Sequence, residues 1–217
     1  MYNQAVMIKK YIAGITQFLS WPIVFIFLKP LFVFKINGKE NLKELESPFL
    51  IISNHISYYD SFVFRLILGA FTFKLPLRFM AVKKFNNDFL NHLSKIGAID
   101  LLYAICGVFV VEPGRGLEKN LEEAEKILRL NGNVVVYPEG SVVKNGELAP
   151  FKNGAAVLAK KVGVSVLPIA MKLGEKRIFR KEYIVNIGEV IKVDKDIEVE
   201  EVNRVLFNSV RVLHQKR

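Results

Sequence analysis

The sequence predicts an α/β fold: a single domain built on a central, mostly buried, mixed sheet flanked by helices, with an apolar helical segment ahead of it. Three observations lead there. Short apolar runs rich in β-branched residues and Phe recur after Gly38, segments with helical spacing separate them, and the stretch from Tyr11 to Leu28 carries no charged residue. At 217 residues the chain is long enough for one sizeable core and too short for two large ones. Two parts are expected, an apolar N-terminal segment over residues 1–36 and one domain over residues 37–217.

In the N-terminal segment Pro22 and Pro30 each remove a backbone donor and crowd the preceding turn, so two short helices are expected rather than one. The uncharged run is at the lower bound for crossing a bilayer, which takes roughly 20 apolar residues. Trp21 near the break, with Lys9 and Lys10 ahead and Lys29 and Lys35 behind, fits a segment lying in one leaflet, so monotopic attachment is favoured over spanning. Packing of the same residues on the domain's own core is the other reading. A signal peptide fits less well, because no small-x-small cleavage pattern follows the run.

Within the domain, Phe49 to Ser53, Arg78 to Val82, Val108 to Val111, Asn133 to Tyr137, Val164 to Met171 and Tyr183 to Ile191 read as strands. Helices are expected from Asp60 through Phe64 and Leu68, and over Leu117 to Leu130, where Leu117, Leu121, Ala124 and Leu128 share a face and Asn131-Gly132 supplies a left-handed stop. Two more are expected over Asn153 to Val162, ending at Gly163, and over Val199 to Leu213, with Val202, Leu206, Val210 and Leu213 as the buried stripe.

Composition narrows the partners. The chain is 51% hydrophobic and carries 31 Lys and Arg against 21 Asp and Glu, a formal charge of +10. An apolar excess combined with positive charge favours anionic lipid and phosphorylated ligands over nucleic acid, for which no zinc finger, basic zipper or RNP-like motif is present. A single cysteine, Cys106, allows no internal disulfide, so cytosolic exposure is the simplest assumption. Three histidines with no Cys or His pair at ligand spacing predict no metal site.

Two strand ends carry polar residues suited to chemistry. Ser53-Asn54-His55-Ile56-Ser57-Tyr58-Tyr59-Asp60 follows one buried strand and opens a helix. An Asp five positions after a His can hold the imidazole if the loop folds back, fixing its tautomer so that the other ring nitrogen accepts a proton. Ser57 and Asp60 also read as a capping-box start with His55 merely nearby, and the two readings are compatible. Tyr137-Pro138-Glu139-Gly140-Ser141 ends a second apolar strand. There Glu139 could accept from hydroxyls and Gly140 could bring backbone N–H groups close to a developing oxyanion; a tight turn with a solvated Glu is the alternative.

Together, N-H-x-x-x-x-D from Asn54 to Asp60 and Y-P-E-G-S from Tyr137 to Ser141 resemble the lysophosphatidic acid acyltransferase family, the PlsC-like glycerophospholipid acyltransferases. The likeness extends through Phe79–Lys84, Gly146–Ala156 and Val166–Ala170. The resemblance implies an acyltransferase on the cytoplasmic face of a membrane, with His55 as base and Asp60 orienting it. It places Asn54, Glu139, Gly140 and Ser141 around the acceptor. The acyl donor would be acyl-CoA or acyl carrier protein as co-substrate, with no resident cofactor, and membrane lipids would be the partners. No covalent intermediate is implied, in keeping with the absence of a G-x-S-x-G elbow.

Two positions depart from the family pattern. Pro113 and Val142 stand where arginines are usual, which removes two bidentate phosphate donors. Arg115 and Lys144 are the nearest cations to replace them, and Lys83, Lys84 and Lys152 could meet phosphates of the donor. The default acceptor is 1-acyl-sn-glycerol 3-phosphate. A lyso-lipid lacking the phosphate monoester, such as lyso-ornithine lipid, is the alternative, and a catalytically silent membrane-binding module is the reading from a different class.

Overall fold

A computed structural model describes residues 2–57, 60–68, 76–82, 88–112, 114–143, 146–177 and 179–216. Seven strands form one sheet: β1 (Phe32–Asn37), β2 (Phe49–Ser53), β3 (Leu77–Val82), β4 (Val108–Val111), β5 (Asn133–Val136), β6 (Ser165–Arg177) and β7 (Arg180–Ile187). Their order is β1-β7-β6-β2-β5-β3-β4. From β6 to β4 every pairing is parallel, β6 and β7 form an antiparallel hairpin, and β1 runs parallel to β7. The sheet is therefore mixed, as expected. β2 sits centrally, and its alternation assigns the two faces.

Leu50 and Ile52 face one cluster with Val134, Val136 and Val166, covered by α5 (Leu117–Arg129), α6 (Gly154–Val162) and α7 (Val199–Gln215). Phe49 and Ile51 face the other with Val135, Leu167 and Ile169, covered by Val63, Phe64 and Ile67 of α2 (Asp60–Leu68). A one-residue slip of β2 would exchange these two sets, so the register with β5 and β6 is tightly specified. The helix stops read from the sequence are present: Asn131 has φ 57° after α5 and Gly163 has φ 75° after α6. All four stripe residues of α7 are buried. In α5, Leu121, Ala124 and Leu128 are buried, with Ile127 beside them, while Leu117 at the first turn is exposed.

Five elements differ from expectation. α1 (Tyr2–Leu28) is one helix running through Pro22 rather than two. Proline costs that helix one hydrogen bond, but the turns before it are clamped to the body. Gln17, buried, donates to the carbonyls of Leu77 at 2.7 Å and Cys106 at 3.0 Å and accepts from Leu77 N–H at 2.9 Å. Residues 32–36, read as the end of the helical segment, belong instead to the edge strand β1; Phe32 and Phe34 project to the same side and pack on Tyr183. β6 continues to Arg177 because its polar second half pairs with β7 alone, beyond the apolar run that marked it. Finally, α3 (Asp88–Lys95) and α4 (Ala98–Cys106) occupy a stretch where no element was read; α4 is apolar around its circumference and shows no single stripe.

The outward face of α1 exposes Ile8, Tyr11, Ile12, Ile15, Phe18, Leu19 and Ile26, and α4, which packs against it, exposes Leu101 and Leu102. Among the described residues no helix is long and apolar enough to cross a membrane.

Candidate active site

Because β2 and β5 are parallel neighbours, the two polar corners leave the same edge of the sheet. Their backbones are tied to each other. His55 N–H donates to Glu139 Oε2 at 2.7 Å, and Val143 N–H donates to the His55 carbonyl at 2.7 Å.

Asp60, at the first position of α2, is wholly buried. Its Oδ2 accepts from His55 Nδ1 at 2.7 Å and from the N–H groups of Ile56 at 2.8 Å and Ser57 at 3.1 Å. The helix-start reading and the His-orienting reading thus describe the same carboxylate. Its Oδ1 accepts from the Tyr183 hydroxyl on β7. Held by two amide donors and a phenol, this carboxylate acts as the acceptor toward the ring, so Nδ1 carries the proton and Nε2 presents a lone pair. Among the described residues Nε2 has no hydrogen-bond partner. The imidazole is 18% exposed, so Nε2 is sheltered yet reachable.

The ring plane is fixed by Tyr137, which stacks on it at 4.1 Å between centroids and 14° between planes. Burial and the charge of Asp60 hold the Tyr137 phenol well above its ordinary range, so it stays neutral beside the imidazole, within 3.3 Å of Ser61 Oγ. Glu139 is buried, and burial raises its carboxyl above the usual carboxylate range, against the lowering effect of the His55 and Ala149 N–H groups. Its second oxygen, Oε1, accepts from Ala149 N–H at 2.9 Å.

Several expected substrate contacts take a different form. Asn54 is fully buried, and its amide is spent on the backbone of Met171: Nδ2 donates to the carbonyl at 2.8 Å, and Oδ1 accepts from the N–H at 2.7 Å. It latches the end of β2 to β6. Gly140 does take the left-handed conformation, φ 77°, but its own N–H closes the turn onto the Tyr137 carbonyl at 2.9 Å and is not free for an oxyanion. A Cβ on Gly140 would lie 2.6 Å from Lys152 Nζ, so the Lys152 ammonium covers this glycine. Ser141 follows in an exposed position.

Arg115 lies after β4, two strands from β5 and so about 10 Å to the side. It is exposed and paired with Glu112 at 3.7 Å. Lys83, Lys84 and Lys144 lie outside the described residues, as does Pro113. Among the described residues no group of three or more His, Cys, Asp or Glu is placed to hold a metal ion. Tyr183 is the site residue that sequence reading missed, since nothing around a Tyr in a β-rich run signals a partner 123 residues away.

A family model described as Acyltransferase matches residues 33–172. The chain belongs to the Acyltransferase family. The resemblance drawn from the two motifs is borne out, and the match includes both corners. The chain is similar to a chloroplastic 1-acyl-sn-glycerol-3-phosphate acyltransferase of Arabidopsis thaliana, at 29% identity over 84% of this chain and 48% of that one. It is also similar to the 1-acyl-sn-glycerol-3-phosphate acyltransferase beta of Homo sapiens, at 30% identity over 63% of this chain and 45% of that one. The chain spans about half the length of these curated relatives. Its fold is shared with the crystal structure of the 1-acyl-sn-glycerophosphate acyltransferase PlsC from Thermotoga maritima, with a TM-score of 0.60, 21% identity, and coverage of 96% of this chain and 82% of that one.

Proposed function

We propose that this Acyltransferase-family chain moves a fatty acyl group from a thioester, acyl-CoA or acyl carrier protein, to the free hydroxyl of a lysophospholipid. One observation carries the reading: His55 Nδ1 is held by buried Asp60 at 2.7 Å, leaving Nε2 unpartnered among the described residues beside the Pro-Glu-Gly corner. The acceptor O–H gives its proton to Nε2 while its oxygen attacks the thioester carbonyl. When the tetrahedral species collapses, the C–S bond breaks and the thiolate takes that proton from the imidazolium. Base assistance of this kind is worth roughly 10²–10⁴ in rate. Asp60 fixes the tautomer and stabilises the cation, Tyr137 holds the ring plane, and Glu139 holds the His55 backbone in place.

The default acceptor is 1-acyl-sn-glycerol 3-phosphate, giving phosphatidic acid, which the names of the relatives support. The second reading, a lyso-lipid without a phosphate monoester such as lyso-ornithine lipid, is favoured by Val142 and Pro113 and by the exposed, Glu112-paired position of Arg115 away from the corner. A silent membrane module fits poorly with a wholly buried carboxylate that holds one nitrogen of an imidazole and leaves the other open. The exposed apolar face of α1, with α4 beside it, supports monotopic attachment to the cytoplasmic face of a membrane, where such acceptors reside. Purified protein given an acyl thioester and equimolar lysophosphatidic acid, lysophosphatidylcholine and lyso-ornithine lipid should convert the first fastest. Preference for either acceptor without a phosphate monoester would replace the default with the second reading, and no conversion of any would remove both.

A further inference from the structure

We infer that Tyr183 is a positioning residue for this reaction, its phenol locking the Asp60 carboxylate in the one orientation that aims His55 at the acceptor; the inference rests on the acyl-transfer reading above. The two carboxylate oxygens have separate duties. Oδ2 receives His55 Nδ1 and the two backbone N–H groups, while Oδ1 receives the Tyr183 hydroxyl alone among the described residues. With Asp60 wholly buried, loss of the phenol would leave Oδ1 unpaired inside the protein. A carboxylate so placed is free to turn about its own axis, so the imidazole loses its fixed aim, while its charge is shared only with His55 and the two backbone amides.

The phenol is itself held rigidly. Tyr183 is fully buried on β7, its hydroxyl lies 3.7 Å from Met171 Sδ on β6, and its ring meets Phe32 edge-on at 5.3 Å and Phe34 at 5.7 Å. Burial, with the Asp60 charge next, keeps this hydroxyl protonated far above its ordinary range, so it is always a donor. The other polar groups around Asp60 are His55 from the loop after β2, Ser57 and Ser61 at the start of α2, and Tyr137 and Glu139 from the corner after β5. Tyr183 alone of these comes from β7. It joins the dyad to β1, the strand that directly follows α1.

Tyr183→Phe keeps the ring and removes one hydroxyl. Replacing Tyr183 by 3-fluorotyrosine keeps the hydroxyl and makes it a stronger donor. Both are compared with the parent by steady-state kinetics from acid to neutral pH and by NMR titration of the His55 ring. In Tyr183→Phe, kcat falls about tenfold with KM for donor and acceptor nearly constant. The acid limb of the rate profile and the His55 ring titration both move to higher pH, because a carboxylate no longer sharing its charge with a phenol binds the imidazolium more strongly. With 3-fluorotyrosine the ring titration moves to lower pH. Opposite displacements establish the inference. A drop in kcat with an unmoved His55 titration would mean that the phenol serves stability alone, and displacement in the same direction by both changes would also overturn it. The ring titration needs no turnover, so a parent that acylates no lyso-lipid would overturn the functional reading while this test still judges the phenol.

Discussion

The corner after β2 and the loop after β4 leave the same edge of one sheet, yet they are built to opposite standards. At the first, Asp60 and Asn54 are buried together with Glu139, which reaches them from the corner after β5, and each has both polar atoms of its side chain engaged by a named partner. At the second, Arg115 and Glu112 are exposed and meet at 3.7 Å across solvent. A proton-transferring imidazole has to be held to a fraction of an ångström, and buried, fully paired hydrogen bonds supply that. A surface ion pair contributes about 0–1 kcal/mol and specifies little. The difference teaches that the fold fixes the His55 imidazole and leaves the Arg115 guanidinium to solvent.

The sharpest way to break the contrast is Asp60→Asn. It should lower turnover by roughly 10²–10⁴, because an amide that turns its NH₂ toward Nδ1 favours the wrong tautomer. Turnover within a few-fold of the parent would mean that the closed corner does not orient the base. Next comes Asn54→Ala, which leaves the Met171 N–H and carbonyl buried without partners and should cost about 2–4 kcal/mol in urea unfolding. A loss below about 0.5 kcal/mol would show that the latch between β2 and β6 is dispensable.

Glu139→Gln gives a smaller, pH-dependent effect. Burial raises the folded-state pKa of Glu139 above its unfolded value, so its contribution to stability is fully present below the unfolded pKa and is lost as pH rises through the folded one. Unfolding midpoints measured from pH 4 upward should fall for the parent across that window and stay flatter for Glu139→Gln. The smallest effect belongs to the open loop: Arg115→Ala should change KM for lysophosphatidic acid by less than about threefold. A tenfold rise would place the guanidinium on the acceptor and erase the contrast.

Legibility in the sequence follows the same division. His55, Asp60 and the Tyr137–Ser141 corner were readable because each stands at the end of a short apolar run, where a strand must turn and expose its polar residues. The hydrogen-bond partners of Asn54 and Gly140 were not legible, because nothing local shows that Met171 takes the amide or that the Tyr137 carbonyl takes the glycine N–H. Tyr183 was invisible for the same reason, since its partner is brought near only by the β6–β7 hairpin. Proline placement suggested a broken N-terminal helix, and tertiary clamping by Gln17 overrode that local preference. Phe32 and Phe34 looked like more of the apolar helix because a short apolar run carries no period of its own.

The most direct measurement is thiol release from an acyl thioester with lysophosphatidic acid as acceptor, comparing the parent with His55→Ala after circular dichroism has matched their folds. The account predicts steady transfer by the parent and at least about a hundredfold slower release by the variant. Equal rates in the two proteins would contradict it, because the chemistry would then have to reside somewhere other than the imidazole that Asp60 holds.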